Sequence, residues 1–119
     1  RLAGDRMTGP TAAVRDIVYD RDGYRCARCD GIDGPFALHH RRPRAAGGSK
    51  DPATNQPGNL ILLCELTCHP DIESHRLIAL GMGWLVGQHQ TPADVPLMYR
   101  GRRALLSDTG TITYQEDTP

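Results

Sequence analysis

The sequence is short of aromatic side chains, 5% of 119 residues, with one Trp (Trp84) and one Phe (Phe36). A chain of this length buries a modest share of its surface, so the expected core is thin. The chain also lacks net charge, with fourteen Lys and Arg against fourteen Asp and Glu, and its overall field does not advertise a polyanionic partner. No apolar run approaches the length of a membrane span, and the stretch from Arg1 to Met7 holds no apolar signal core. A cytoplasmic location without a membrane partner is expected. There is no GxGxxG fingerprint, and Gly47-Gly48-Ser49-Lys50 lacks the spacing of a phosphate-binding P-loop.

What is present is glycine, proline and a small set of metal-ligand residue types. Thirteen Gly and nine Pro point to a loop-rich domain. Four cysteines fall in two close pairs, Cys26-x-x-Cys29 and Cys64-x-x-x-Cys68. In a reducing compartment such pairs are metal ligands rather than disulfides. Cysteines three apart can turn both thiolates onto one ion, with Gly31 relaxing the turn. Together the four complete a closed tetrahedral site for a structural Zn²⁺, and metal binding then contributes to folding. The bland alternative is four small buried hydrophobes.

Charge is unevenly distributed. Residues 1–50 carry ten basic against six acidic side chains, and residues 51–119 carry four against eight. The basic half offers Arg41, Arg42, Arg44 and Lys50 to a phosphate partner, or forms a solvated loop.

Along the chain, residues 1–10 read as a flexible leader. Thr11 caps a helix from Ala12 to about Arg21, with Val14, Ile17 and Val18 on one stripe and Asp22-Gly23 as its stop. Phe36 to Arg41 reads as a strand, 43–58 as a long connection, and Leu60 to Leu63 as a strand that can pair with the first. A helix starting near His69-Pro70 is expected to run to Leu80 and end at Gly81. Beyond it, Trp84-Leu85-Val86, 95–99, 103–106 and 111–114 read as strands of a small antiparallel extension. The expected organisation is a leader (1–10), a metal-binding domain (11–81) and a β extension packed on it (82–119), in the α+β class.

Adjacent strand residues point to opposite sides, so His39 and His40 can do different work. His69 and Glu73, four apart, share a helix face. An open site built from His39, His69 and Glu73 suits a divalent ion such as Mg²⁺, Mn²⁺ or Ni²⁺, or Zn²⁺. His40 is then a candidate general base, Arg41, Arg42 and Arg44 candidate phosphate contacts, and Asn59 a candidate loop pin through backbone hydrogen bonds. Glu73 reads alternatively as a carboxylate stabilising a helix start, and Arg76 as its partner or a further phosphate contact. His75 and His89 read as surface or structural residues, and Trp84 as a core anchor for the tail.

Cys26-Ala27-Arg28-Cys29, Leu38-His39-His40, Gly47-Gly48, Asn59-Leu60-Ile61-Leu62-Leu63-Cys64 and Cys68-His69 together resemble the HNH endonucleases over residues 24–80. The resemblance implies a small ββα-metal fold, with His39 and His69 as ligands of the catalytic metal, His40 as general base and Asn59 as a structural residue of the site. It puts Glu73 where many members carry histidine or asparagine. It implies hydrolysis of double-stranded DNA to 5′-phosphate and 3′-hydroxyl ends. The longer Cys64–Cys68 spacing resembles a subgroup of phages and prophages of actinobacteria. That implies action in a bacterial host, with phage terminase or packaging proteins as partners. A catalytically degenerate zinc-knuckle DNA-binding or assembly module is the alternative, and a zinc protein purely structural in role is a weaker one.

Overall fold

A computed structural model describes residues 9–44 and 51–115. The fold class is α+β, with two small antiparallel sheets. The expected leader, Lys50 and the last residues of the tail lie wholly or largely outside the described residues.

Helix α1 spans Ala12–Asp22. The Thr11 hydroxyl accepts from the Val14 amide at 3.1 Å, and Gly23 closes the helix in the left-handed region at φ 65°. Its inward residue, Val18, packs on Leu60 and Leu62. The last residue of α1 is a fully buried Asp22. Its carboxylate accepts from Arg21 Nε (2.9 Å), Tyr99 Oη (2.6 Å) and the Leu62 amide (3.0 Å). A buried carboxylate is tolerable only with this degree of pairing. The cost of burying it is offset by joining α1, the central hairpin and the tail.

That hairpin pairs β1 (Phe36–His40) with β2 (Leu60–Cys64) in the register Phe36↔Cys64 to His40↔Leu60. Leu60 and Leu62 face α1, whereas Ile61 and Leu63 face the main core. β2 is therefore buried on both sides, which explains its unbroken apolar run. His39 pairs with Ile61 and His40 with Leu60, so the two histidines sit on opposite faces of the hairpin.

The expected single helix after β2 is two, α2 (Cys68–Ser74) and α3 (Arg76–Met82). His75 breaks it at φ −131°, ψ 60°; its N–H closes α2 on Asp71 O and its carbonyl accepts from the Ala79 N–H. No Gly or Pro drives the break. The stop is Gly83 rather than Gly81, because Gly83 is in the left-handed region and the tail crosses there. A Cβ on Gly83 would lie 2.1 Å from Pro96 O. The expected strand at Trp84–Val86 is absent: Leu85 and Val86 are buried as irregular chain, and the Val86 amide donates to Arg41 O.

The tail does form a meander, β3 (Leu97–Tyr99), β4 (Arg102–Leu106) and β5 (Ile112–Tyr114). Leu97, Tyr99, Ala104 and Leu106 point inward and join Ile61, Leu63, Ile72 and Ala79 in one core. Trp84 anchors the tail, its indole donating to Met98 O at 2.8 Å.

Candidate metal centres

The four cysteines converge where the loop after α1, the end of β2 and the start of α2 meet. Their sulfurs all lie within 4.8 Å of one another. Cys29 Sγ and Cys64 Sγ are 3.5 Å apart, far beyond a disulfide bond and close to the roughly 3.8 Å edge of a tetrahedron with ~2.3 Å zinc–sulfur bonds. Backbone amides of Arg28 and Cys29 point at Cys26 Sγ (both 3.4 Å), and that of Gly31 at Cys29 Sγ (3.3 Å). Burial opposes a thiolate at Cys26, but the surrounding backbone amides outweigh it and hold the thiol below its ordinary range. Burial pushes Cys68 up to about 12, with Arg28 working against the rise and the Cys26 charge adding to it. Four sulfurs held this close repel one another as thiolates, and a divalent cation is what relieves that. The set fits a closed structural zinc site.

The Arg between the first two cysteines extends the knuckle. Arg28 pairs with Asp71 on α2 at 2.6 Å and stacks over the Trp84 ring at 4.7 Å. It thereby ties the sulfur cluster to the segment that closes the second site.

That second group is His39, His69 and Glu73, whose ligand atoms also lie within 4.8 Å of one another. β1 supplies His39, and α2 supplies the other two, one turn apart. The two imidazoles meet edge to face with centroids 5.2 Å apart. His39 is buried, His69 half-buried and Glu73 exposed, so the cluster opens to solvent on its carboxylate side. His39 Nε2 lies 2.8 Å from Trp84 O. A carbonyl can only accept, so Nε2 carries the proton and Nδ1 keeps the lone pair a metal needs. Burial lowers the pKa of His39 to about 4, with the Trp84 carbonyl opposing and the neighbouring His69, His40 and Arg41 reinforcing the fall. The ring is neutral near pH 7. Glu73 is held by Arg76 at 2.6 Å. One neutral imidazole fixed in its metal-binding tautomer, a second imidazole and a carboxylate form a donor set that fits a divalent ion with open positions.

His40 lies on the other face of the hairpin. Its Nε2 is 2.8 Å from Asn55 Oδ1, and burial holds its pKa below the ordinary value, with Asn55 opposing and Arg44 reinforcing. Asn59 is fully buried. Its Oδ1 accepts from the Arg42 amide (2.6 Å), and its Nδ2 donates to Arg42 O (3.1 Å) and Thr54 O (2.9 Å). It pins the end of β1 to the start of β2 and to the connection between them.

Two expected phosphate contacts are engaged inside the protein. Arg41 is fully buried, and its guanidinium donates to Gly83 O (2.8 Å), Gly58 O (2.9 Å), Pro92 O (3.0 Å) and Val95 O (2.6 Å). Burial, with Arg21 nearby, lowers its pKa to about 10, which leaves it charged. Arg42 is buried and engaged by Asp51 (2.6 Å) and Gln90 O (2.9 Å). Arg44 and Arg76 are exposed, and Lys50 lies outside the described residues. Sequence reasoning missed Trp84 O and Asn55. The first is a backbone atom with no side-chain signature, and the second stood in a stretch read as irregular loop.

No family model, no curated protein and no solved structure matches the chain. No helix among the described residues is long and apolar enough to cross a membrane.

Proposed function

We propose that the chain is a metal-dependent DNA endonuclease of the HNH type, with residues 11–81 as the nuclease unit and 82–119 as the extension that completes its core. The observation that carries the reading is the opposition of two neighbouring histidines. His39 converges with His69 and Glu73, while His40 lies on the other face with its Nε2 occupied by Asn55. The chain order of hairpin and then helix supports it, as does a closed sulfur site beside an open mixed one.

In this reading His39, His69 and Glu73 hold a divalent ion, Mg²⁺, Mn²⁺, Ni²⁺ or Zn²⁺, which when bound supplies stabilisation of charge on the phosphate and the leaving oxygen. Trp84 O keeps the His39 ring in its binding tautomer. His40 accepts a proton from water at Nδ1 as the water oxygen bonds to phosphorus. The bond from phosphorus to the 3′ oxygen breaks, and solvent protonates the leaving oxygen. The ends are 5′-phosphate and 3′-hydroxyl. Arg44, Arg76 and Lys50 contact phosphates of double-stranded DNA, and Asn59 holds the loop that carries Arg44. A role beside phage terminase or packaging proteins in the host cytoplasm follows from the resemblance alone.

A second reading, a zinc-knuckle DNA-binding or assembly module without cleavage, is favoured by the internal use of Arg41 and Arg42 and by the pairing of Glu73 with Arg76. Plasmid cleavage across Mg²⁺, Mn²⁺, Ni²⁺, Co²⁺ and Zn²⁺, with EDTA and His40→Ala controls, separates the two. Ion-dependent nicking that is lost in His40→Ala, from protein retaining about one zinc per chain, is the expected result. No cleavage with any ion from folded, zinc-loaded protein sinks the autonomous nuclease.

A further inference from the structure

We infer that Asn55 is a positioning residue for His40. Its side-chain amide holds the imidazole in a single tautomer, protonated at Nε2, and leaves Nδ1 as the ring's only basic atom. Naming that atom the general base rests on the proposed nuclease function; the tautomer itself does not.

Asn55 ends a 3₁₀ turn, Pro52–Asn55, inside the connection between β1 and β2. That turn is held on both sides by Asp51 and Thr54. Asp51 Oδ1 caps it by accepting from the Ala53 amide at 2.9 Å, and Asp51 Oδ2 takes Arg42 Nη2 at 2.6 Å. Thr54, itself buried, offers its carbonyl to Asn59 Nδ2 at 2.9 Å. Arg42 lies two residues beyond His40, and Asn59 immediately precedes β2. The turn is thus tied to the strand that carries the ring and to its partner strand.

With the backbone so placed, Asn55 Oδ1 reaches His40 Nε2 at 2.8 Å. That contact chooses a proton position on the ring. An amide oxygen only accepts, so Nε2 must donate and Nδ1 keeps its lone pair. Were the amide nitrogen to face the ring instead, Nε2 would accept and the proton would sit on Nδ1. When Nδ1 takes a proton from water the ring becomes an imidazolium, and the bond from Nε2–H to Oδ1 becomes charge-assisted and stronger. The same amide therefore orients the base and favours the product of its proton transfer.

The test reads imidazole nitrogen-15 shifts in the zinc-loaded full chain, without DNA and at a pH where the rings are neutral. The proteins compared are wild type, Asn55→Ala, Asn55→Leu and Asn55→Asp. Wild-type His40 is expected as the pure Nε2–H tautomer. Asn55→Ala and Asn55→Leu should average the two tautomers, and Asn55→Asp, which can only accept, should restore one. His39, bound to Trp84 O, should keep its tautomer in every variant and so reports an intact fold. In the ion-supplemented cleavage assay Asn55→Ala should lower kcat by up to about 100-fold, the low end of what a positioned general base supplies, with KM little changed. An unaltered His40 tautomer in Asn55→Ala, or a wild-type ring protonated on Nδ1, overturns the inference whether or not DNA is cut. A tautomer change with wild-type kcat overturns its catalytic part. Absence of cleavage in every protein, with the tautomer change present, defeats the nuclease reading alone and supports the positioning role.

Discussion

The two metal-ligand clusters share α2, where Cys68 and His69 are consecutive residues serving different groups. Their construction differs at every level. The sulfur cluster uses four identical soft donors, two of them in the main core, steadied by amides of the same short loop. The nitrogen–oxygen cluster uses three harder donors graded from buried to exposed, and its deepest ligand is oriented by a carbonyl forty-five residues away. A closed site gathers its donors from two short cysteine-bearing segments and contributes directly to folding. An open site must have its donors fixed by the surrounding structure, because its free positions leave the metal less able to organise them.

The largest break in this contrast comes from replacing neighbours. Cys68→Ser should lose the zinc and the cooperative unfolding transition, since structural zinc binding is worth ~10–16 kcal/mol in small zinc domains. His69→Ala should keep its zinc and its fold while losing ion-dependent activity. Zinc content and thermal melts of the two proteins decide it. Equal melts would mean that the sulfur site is not what holds the fold.

Next in size is Arg41→Met, which removes four hydrogen bonds to backbone carbonyls, of which Pro92 O alone keeps a second donor, the Val95 amide, among the bonds described. At about 1 kcal/mol or more for each of the other three groups, the loss should be about 3 kcal/mol or greater. Chemical denaturation measures it. Zinc should be retained in the folded fraction, because the residues joined by Arg41 frame the open site rather than the sulfur knuckle. DNA affinity of that fraction should not change, and a tenfold drop would return Arg41 to the phosphate contacts.

The smallest effect sharpens the contrast by pH. His39 has a folded pKa of about 4 against an ordinary value near 6.5. Between those values the unfolded chain binds a proton that the folded ring excludes. Stability should therefore be full above about pH 6.5 and fall as the pH drops toward 4, by up to about 3 kcal/mol. His39→Asn should lack this slope. Subtracting the two denaturation profiles removes the acid sensitivity of the cysteines, which both proteins share.

Much of the scaffold was legible in the sequence because its signals are local. Thr11 and Gly23 bound α1, the alternation at His39-His40 separates two faces, and turn residues divide the tail strands. The two cysteine pairs announce their own proximity. What was not legible depends on partners without side chains. Arg41 looks like a surface arginine until four carbonyls from distant segments surround it. Trp84 O leaves no trace in residue type. The break at His75 has no Gly or Pro to mark it, and the stop at Gly83 is set by the passing tail. Asn55 became informative only once the 3₁₀ turn brought it to a ring.

The adjacency of Cys68 and His69 also has a thermodynamic consequence. One turn of helix supplies donors to both clusters, so whatever orders that turn for one ion prepares it for the other. If zinc at the cysteines raises the affinity of the proposed second ion by some factor, the second ion must raise the affinity for zinc by the same factor. Chelation of the zinc should then be hardest when both positions are filled, and the open site becomes a reporter on the closed one.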